Sequence, residues 1–215
     1  MGTPRENDMQ LLINDETLAE ELIARRRKIG ADRLDEVWDG VYVMSPIANN
    51  EHQDLVTELA AIFRGIVDWR GLGRTLAGVN VSDNCNDWTQ NYRVPDVAIF
   101  LKGSTAEDRE SFYFGGPDFA VEVVSRGDRT LEKLGFYAAV GTRELLVIDR
   151  NPWRLSLYRL TARGELELAA VVEQHSVDAV VSSILPIRFR FAAEPARICV
   201  EDADGRSVRD IPITS

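Results

Sequence analysis

The chain's pattern of apolar residues and turns predicts a mixed α/β domain built on a central mixed sheet flanked by helices. Three observations carry that prediction. Helix-like segments alternate with short apolar strand-like runs, turn signals separate them, and no repeat or low-complexity tract divides the 215 residues. This length suits one domain with a sizeable core, or one domain plus appendages.

Taken in order, Asn14-Asp15-Glu16 supplies capping residues for an N-terminal helix over Thr17 to Lys28, ending near Gly30. The cationic tail Arg25-Arg26-Arg27-Lys28 reads better as a complement to the helix dipole than as a phosphate-binding patch. Asp39-Gly40 between Arg33–Trp38 and Val41–Met44 is a two-residue hairpin signal. A second helix follows Asn49 and Asn50 and runs to about Trp69, with Leu55, Leu59, Ile62, Phe63 and Ile66 on one buried face.

Strands are predicted at Arg74 to Asn80, Val94 to Leu101 and Phe119 to Ser125, with polar loops at Ser82–Asn91 and Lys102–Gly116 between them. A third helix over Thr130 to Val140 precedes strands at Glu144–Asp149, Arg154–Leu160 and Leu166–Val172. A further strand lies at Ile187–Phe191, and Asp204-Gly205 marks a C-terminal hairpin. The reading therefore divides the chain into a main domain, residues 1–191, and a C-terminal hairpin extension, residues 192–215, for which a dimer contact is one use.

Composition narrows the function. No apolar run approaches the roughly 20 residues that span a bilayer, and the first residues lack a basic-then-apolar secretory pattern. Cys85 and Cys199 form neither a CxxC metal motif nor a disulfide framework, so the expectation is a cytoplasmic chain with free thiols. With 35 acidic against 25 basic residues, the formal charge of −10 argues against coating nucleic acid by charge alone. It leaves room for an enzyme whose carboxylates are offset by bound cations.

The chemistry concentrates in two apolar strands. In Phe119-Ala120-Val121-Glu122-Val123-Val124-Ser125, an ionised Glu122 is costly to bury unless it is paired or binds a cation. Ala120 shares its face and leaves room beside it. In Val94-Pro95-Asp96-Val97-Ala98-Ile99-Phe100, Asp96 is a second carboxylate within an apolar run, and taken alone it reads equally well as a turn cap. On neighbouring strands about 5 Å apart the two could share one divalent ion, and oxygen-only ligation suits Mg²⁺ or Mn²⁺. Asp118, in a second Pro-Asp pair, lies about 13 Å along the strand from Glu122, too far to share that ion. A purely structural alternative pairs Glu122 with Arg93. Lys133 sits at the border of the third helix, free either to reach over the strand ends or to face solvent.

Together VPDVAIF, PDFAVEVVS and LEKLGFYAAVGTRELLVIDRNPWRLSLYRL, with the WDGVYVMSP hairpin and His52, resemble the Uma-type family of restriction-endonuclease-like proteins, within the PD-(D/E)XK nuclease superfamily. The resemblance spans roughly Thr17 to Phe191. It implies a restriction endonuclease-like core in which Asp96 and Glu122 are the motif carboxylates. The lysine place of the strand motif is Val124 here, and the family pattern ExxS with a helix-borne lysine matches Glu122, Ser125 and Lys133. A departure is that the family's DxxxK is not kept: Arg129 stands four before Lys133, and Asp128 five before it.

The implied activity is metal-assisted hydrolysis of nucleic acid, DNA in the first instance. Mg²⁺ or Mn²⁺ would be held by Asp96, Glu122 and the backbone carbonyl of Val123, with Lys133 as cationic partner. Glu51, His52 and Ser125 are auxiliary candidates, and for His52 a capping or surface role is the plainer reading. The competing class is a catalytically inactive member of the fold, serving as a binding or assembly module. A homodimer with no membrane association completes the expectation.

Overall fold

The computed structural model describes residues 15–46, 48–125 and 129–213. In chain order the elements are helix α1 (Glu16–Ile29), strands β1 (Glu36–Trp38) and β2 (Val41–Val43), and helix α2 (Asn50–Phe63), extended by a π-helical turn over Arg64–Asp68. Strands β3 (Gly73–Ala77), β4 (Val81–Ser82), β5 (Tyr92–Arg93), β6 (Val97–Leu101), β7 (Glu107–Asp108), β8 (Tyr113–Phe114) and β9 (Phe119–Val123) follow. A 3-10 turn (Thr130–Lys133) leads into the short helix α3 (Leu134–Ala139). The chain continues through β10 (Glu144–Arg150), β11 (Trp153–Leu160), β12 (Leu166–Glu173), β13 (Val180–Val181), β14 (Ile187–Ala193), β15 (Ala196–Asp202) and β16 (Ser207–Pro212).

The strands form three sheets. The main one has the order β12-β11-β10-β9-β6-β3. Its β9–β10 pair is parallel and every other pair antiparallel. A parallel pair needs a crossover, and the segment carrying the 3-10 turn and α3 supplies it. That crossover lays Lys133 and Tyr137 over β9.

Side-chain alternation then sorts the core. Phe119, Val121 and Val123 face one way and pack with Leu55, Leu59 and Phe63 of α2, while Ala120 faces Phe136, Tyr137 and Val140 on the other side. Glu122 belongs to the second face, under α3.

The local signals act as the sequence indicates. Asp15 caps α1 by accepting the Leu18 amide at 3.0 Å, and Gly30 ends the helix in the left-handed region at φ 69°. Asn14 and Asp128 lie outside the described residues. Asp39 and Gly40 adopt φ of 49° and 82°, the paired positive values of a type I′ hairpin turn, and Trp38 pairs with Val41 across it.

Four boundaries differ from expectation. The second helix loosens into π geometry at Arg64 before reaching Trp69. The third helix begins with one 3-10 turn. Asp96 lies in the bend just before β6 rather than inside the strand. The two polar segments at 82–91 and 102–116 are partly structured: they contribute short strands to a second sheet, β2-β1-β5-β4-β8-β7. Its stacked Trp88 and Phe112 rings, 5.2 Å apart, hold those loops together.

Strand β14 runs across residue 191, so the 192–215 extension begins inside a strand. It completes a four-stranded antiparallel sheet, β13-β14-β15-β16, whose Ile198, Val200 and Ile211 join the same core as α2.

Candidate active site

The register of the main sheet builds the site. Val97 pairs with Val121 and Ala98 with Ala120 in the antiparallel β6–β9 ladder. Continuing that register by one residue places Asp96 directly opposite Glu122. Cβ atoms of such cross-strand neighbours lie about 4.5–5.5 Å apart, and like charges there are destabilising. The Ala98–Ala120 pair alongside leaves space rather than bulk.

The two carboxylates are held differently. Asp96 Oδ2 accepts the Val123 amide at 2.7 Å, while Oδ1 lies 3.4 Å from His52 Nε2. Within a strand the amide and carbonyl of one residue point to the same edge. The Val123 carbonyl is therefore directed to the side of β9 on which Asp96 lies. His52 is oriented by its own helix start, where the Asn49 side chain accepts its amide at 2.9 Å. Its ring is buried, and Nδ1 has no partner among the described residues.

Glu122 is 3 % exposed and receives two cationic or hydroxyl partners from the crossover. Lys133 Nζ lies 3.1 Å from each of its oxygens, and the Tyr137 hydroxyl donates to Oε1 at 2.5 Å. Lys133 is thus buried against the strand. The 3-10 turn positions it, because the tighter winding carries Lys133 inward while Leu131 and Glu132 stay exposed.

A third carboxylate completes the group. Glu36 of β1 has Oε1 3.0 Å from Lys133 Nζ and accepts the Val94 amide at 2.8 Å; its Oε2 accepts Trp38 Nε1 at 2.7 Å. Three carboxylates, Glu36, Asp96 and Glu122, therefore border one cleft of about 130 Å³ together with His52, Ser125, Arg129 and Lys133.

The electrostatic consequence falls on Glu122. Burial is the largest influence and pushes its carboxyl up to about 8; the negative charges of Asp96 and Glu36 add to this. Lys133 and the Tyr137 hydrogen bond oppose it without prevailing. Tyr137 itself is pushed well above its ordinary value by burial and by Glu122, so it remains a hydrogen-bond donor.

Several sequence expectations resolve here. Arg93 does not neutralise Glu122: its guanidinium is stacked between the Trp38 and Phe136 rings, 4.6 and 4.3 Å from their centroids, and donates to the Val37 carbonyl at 2.8 Å. Asp118 is a structural residue that accepts the Leu101 amide at 2.8 Å and lies 3.4 Å from Arg143. Glu51 is not brought to the carboxylate pair. It meets Arg150 at 3.1 Å in an adjoining depression that also takes in Ser125 and Asp149.

Glu36 is not among the residues the sequence marks as functional. Its one signal is a charged residue in the short strand Glu36-Val37-Trp38, which reads equally well as an exposed edge.

The donor set suits a hard cation. No cluster of three or more His, Cys, Asp or Glu side chains is arranged as a metal cage among the described residues. Two adjacent carboxylates and a strand-end carbonyl instead suit an ion that keeps much of its own water, as Mg²⁺ does. Burial is the main cause of the raised Glu122 carboxyl, and the added contribution of Asp96 and Glu36 is the part a cation would relieve.

With this geometry in place, the sequence profile of the Uma2 family, described as "Putative restriction endonuclease", matches residues 25–194. The chain belongs to that family. Its fold is also similar to that of a solved protein, the crystal structure titled as a putative nuclease belonging to DUF820, from Anabaena variabilis. The two superpose with a TM-score of 0.56 at 16 % identity, covering 70 % of this chain and 83 % of that one. No curated protein matches the chain. The Uma2 match covers every residue lining the cleft, from Leu34 to Lys133, and Tyr137 beneath Glu122. No helix among the described residues is long and apolar enough to cross a membrane.

Proposed function

We propose that this Uma2 protein is a divalent-cation-dependent endonuclease that hydrolyses phosphodiester bonds of DNA. The observation that carries the reading is the buried Lys133–Glu122 contact directly beside Asp96, at the end of two paired strands. A carboxylate pair placed in register and left with surplus negative charge has a chemical use in binding a cation. As a purely structural device it would be a standing cost.

Asp96, Glu122 and the Val123 carbonyl hold Mg²⁺ or Mn²⁺ in this proposal. Such an ion, when bound, polarises a phosphate oxygen and acidifies a water. Asp96 is kept in orientation by the Val123 amide and by His52, so that Oδ1 faces the cleft. Tyr137 fixes the rotamer of Glu122 from beneath. Lys133 Nζ, at the cleft wall, donates to a phosphate oxygen and stabilises charge developing there. Arg129 also lines the cleft, 4.6 Å over the Trp38 ring, and its guanidinium is paired with Glu132 at 2.7 Å, so a phosphate there would compete with that carboxylate.

The net charge of −10 fits an enzyme that meets DNA through a few placed cations and a metal rather than through a basic surface. Calorimetry and plasmid cleavage test the reading together. Wild type is expected to bind Mn²⁺ and nick or linearise DNA. Asp96→Ala and Glu122→Ala lose both properties, and Lys133→Ala loses cleavage. Mn²⁺ binding that survives both carboxylate substitutions would refute it; a folded wild type that binds Mn²⁺ but cleaves neither DNA nor RNA would instead favour the inactive binding module.

A further inference from the structure

Of the three carboxylates lining the cleft, Glu36 alone comes from outside the main sheet, on hairpin strand β1. It is 2 % exposed, and each of its oxygens already has a donor. Val94, two residues before Asp96, gives its amide to Oε1, and the Trp38 indole gives its N–H to Oε2. Those bonds fix the carboxylate and leave its Oε1 3.0 Å from Lys133. The ammonium is consequently shared between an anchored anion, Glu36, and the two oxygens of Glu122, 3.1 Å away.

We infer that Glu36 is a positioning residue that retains Lys133 at the cleft when Glu122 turns its oxygens toward a cation. The inference rests on the nuclease reading of the same site. A divalent ion and Lys133 compete for the Glu122 oxygens. With the Glu36 anion removed, more of the ammonium's attraction falls on Glu122, where it opposes the ion. Glu36 supplies a place for the ammonium within reach of both, so cation binding does not cost the site its lysine. Because the Val94 amide, the Trp38 indole and Lys133 take up most of its acceptor sites, Glu36 is a poor ligand for the ion itself.

The test is a double-mutant cycle on Mn²⁺ affinity with Glu36→Gln and Lys133→Met, joined to steady-state DNA cleavage. Glu36→Gln is expected to weaken Mn²⁺ binding by about 5-fold or more in the wild-type background, because the Lys133 ammonium then bears more heavily on the Glu122 oxygens that the ion needs. In the K133M background it is expected to change affinity by less than about 2-fold, the mark of an effect transmitted through the lysine. In cleavage, kcat falls by about 10-fold or more while KM for DNA stays within about 2-fold. Glu36→Asp, which keeps the charge with a shorter reach, gives a smaller loss of kcat, whereas a purely architectural role would show no such rescue.

Equal affinity changes in the two backgrounds, or wild-type kcat and affinity in folded E36Q, would overturn the inference. If E36Q fails to fold, E36D decides the matter through the same cycle on Mn²⁺ affinity, and equal affinity changes with and without Lys133→Met overturn it. A wild type that neither binds Mn²⁺ nor cleaves DNA is a different result. It removes the nuclease reading and this inference with it, whereas an active wild type with a silent Glu36 removes the inference alone.

Discussion

Two buried glutamates in this protein meet their cations in opposite ways. Glu201, in the C-terminal sheet, receives Arg188 and Arg190 at 2.7 Å each, one on each oxygen. Burial pushes its carboxyl up, but the hydrogen bonds from Arg190 and Arg188 outweigh that and hold it below the usual range. Glu122 shares a single lysine with Glu36 and faces Asp96, and its carboxyl rises to about 8. One glutamate is over-compensated and the other under-compensated. The difference separates an ion pair that serves the fold from a site that has room for another positive charge.

The largest effect expected from this contrast follows removal of the lysine. Lys133→Met leaves Glu122 and Glu36 buried with less compensation, and should cost about 3–5 kcal/mol of stability in metal-free urea unfolding. Removing one arginine from Glu201 leaves the other in place and should cost far less. Comparable losses at the two sites would break the comparison.

Next in size is the response to metal. At a Mn²⁺ concentration 100 times its Kd, wild type should gain about 2.7 kcal/mol in stability. Glu122→Ala should gain nothing, and Glu201→Gln should gain as much as wild type. Thermal unfolding with and without Mn²⁺ reads all three, and a gain that persists in Glu122→Ala would place the ion elsewhere.

How much of this contrast the sequence contains depends on the range of the signal. Asp96 and Glu122 are legible because each interrupts an apolar strand run, and the desolvation cost of a carboxylate there is a local argument. The Asp39-Gly40 turn and the Asp15 cap are legible for the same reason: a few neighbouring residues decide them. Lys133 was readable only through family resemblance, because its burial depends on a 3-10 turn at a crossover whose path is set by the parallel β9–β10 pair. Glu36 was not readable. Its importance arises from contact between β1 and a turn nearly 100 residues later in the chain. The core residues of the C-terminal segment are hard to read from the sequence for a related reason. Ile198, Val200 and Ile211 alternate as any hairpin would, and only the packing on α2 makes them core.

The third prediction concerns pH and follows from the directions of the two shifts. Glu122 titrates at about 8 in the folded protein against an ordinary 4.5, so between those values the folded state holds a proton that the unfolded state has released. Its contribution is therefore full below about pH 4.5 and is lost as pH rises toward 8. Metal-free wild type should lose stability across this interval more than Glu122→Gln does. Saturating Mn²⁺ should flatten the slope, because the ion replaces the proton. Glu201 has the opposite sign: its folded value lies below the ordinary 4.5, so its contribution is present above that pH and lost below it. Urea unfolding of wild type, Glu122→Gln and Glu201→Gln from about pH 2 to about pH 9 separates the two limbs, and a Glu122→Gln slope equal to that of wild type would count against the raised carboxyl.

The smallest expected effect sharpens the other side of the comparison. Arg188 and Arg190 are each 37 % exposed at their side chains, so solvent screens both. Arg188→Ala should therefore change stability at neutral pH by no more than about 1 kcal/mol. Its clearer signature is electrostatic: with one hydrogen bond gone, the Glu201 carboxyl should move back up toward its ordinary value, and the acid-side loss of stability should begin at higher pH. Carboxyl titration by NMR reads that shift directly. The same substitution should leave Mn²⁺ affinity unchanged, because Glu201 takes no part in the cleft. If Arg188→Ala instead weakened Mn²⁺ binding, the two glutamates would be coupled through the shared core beneath α2, and the division between a structural and a functional carboxylate would not hold.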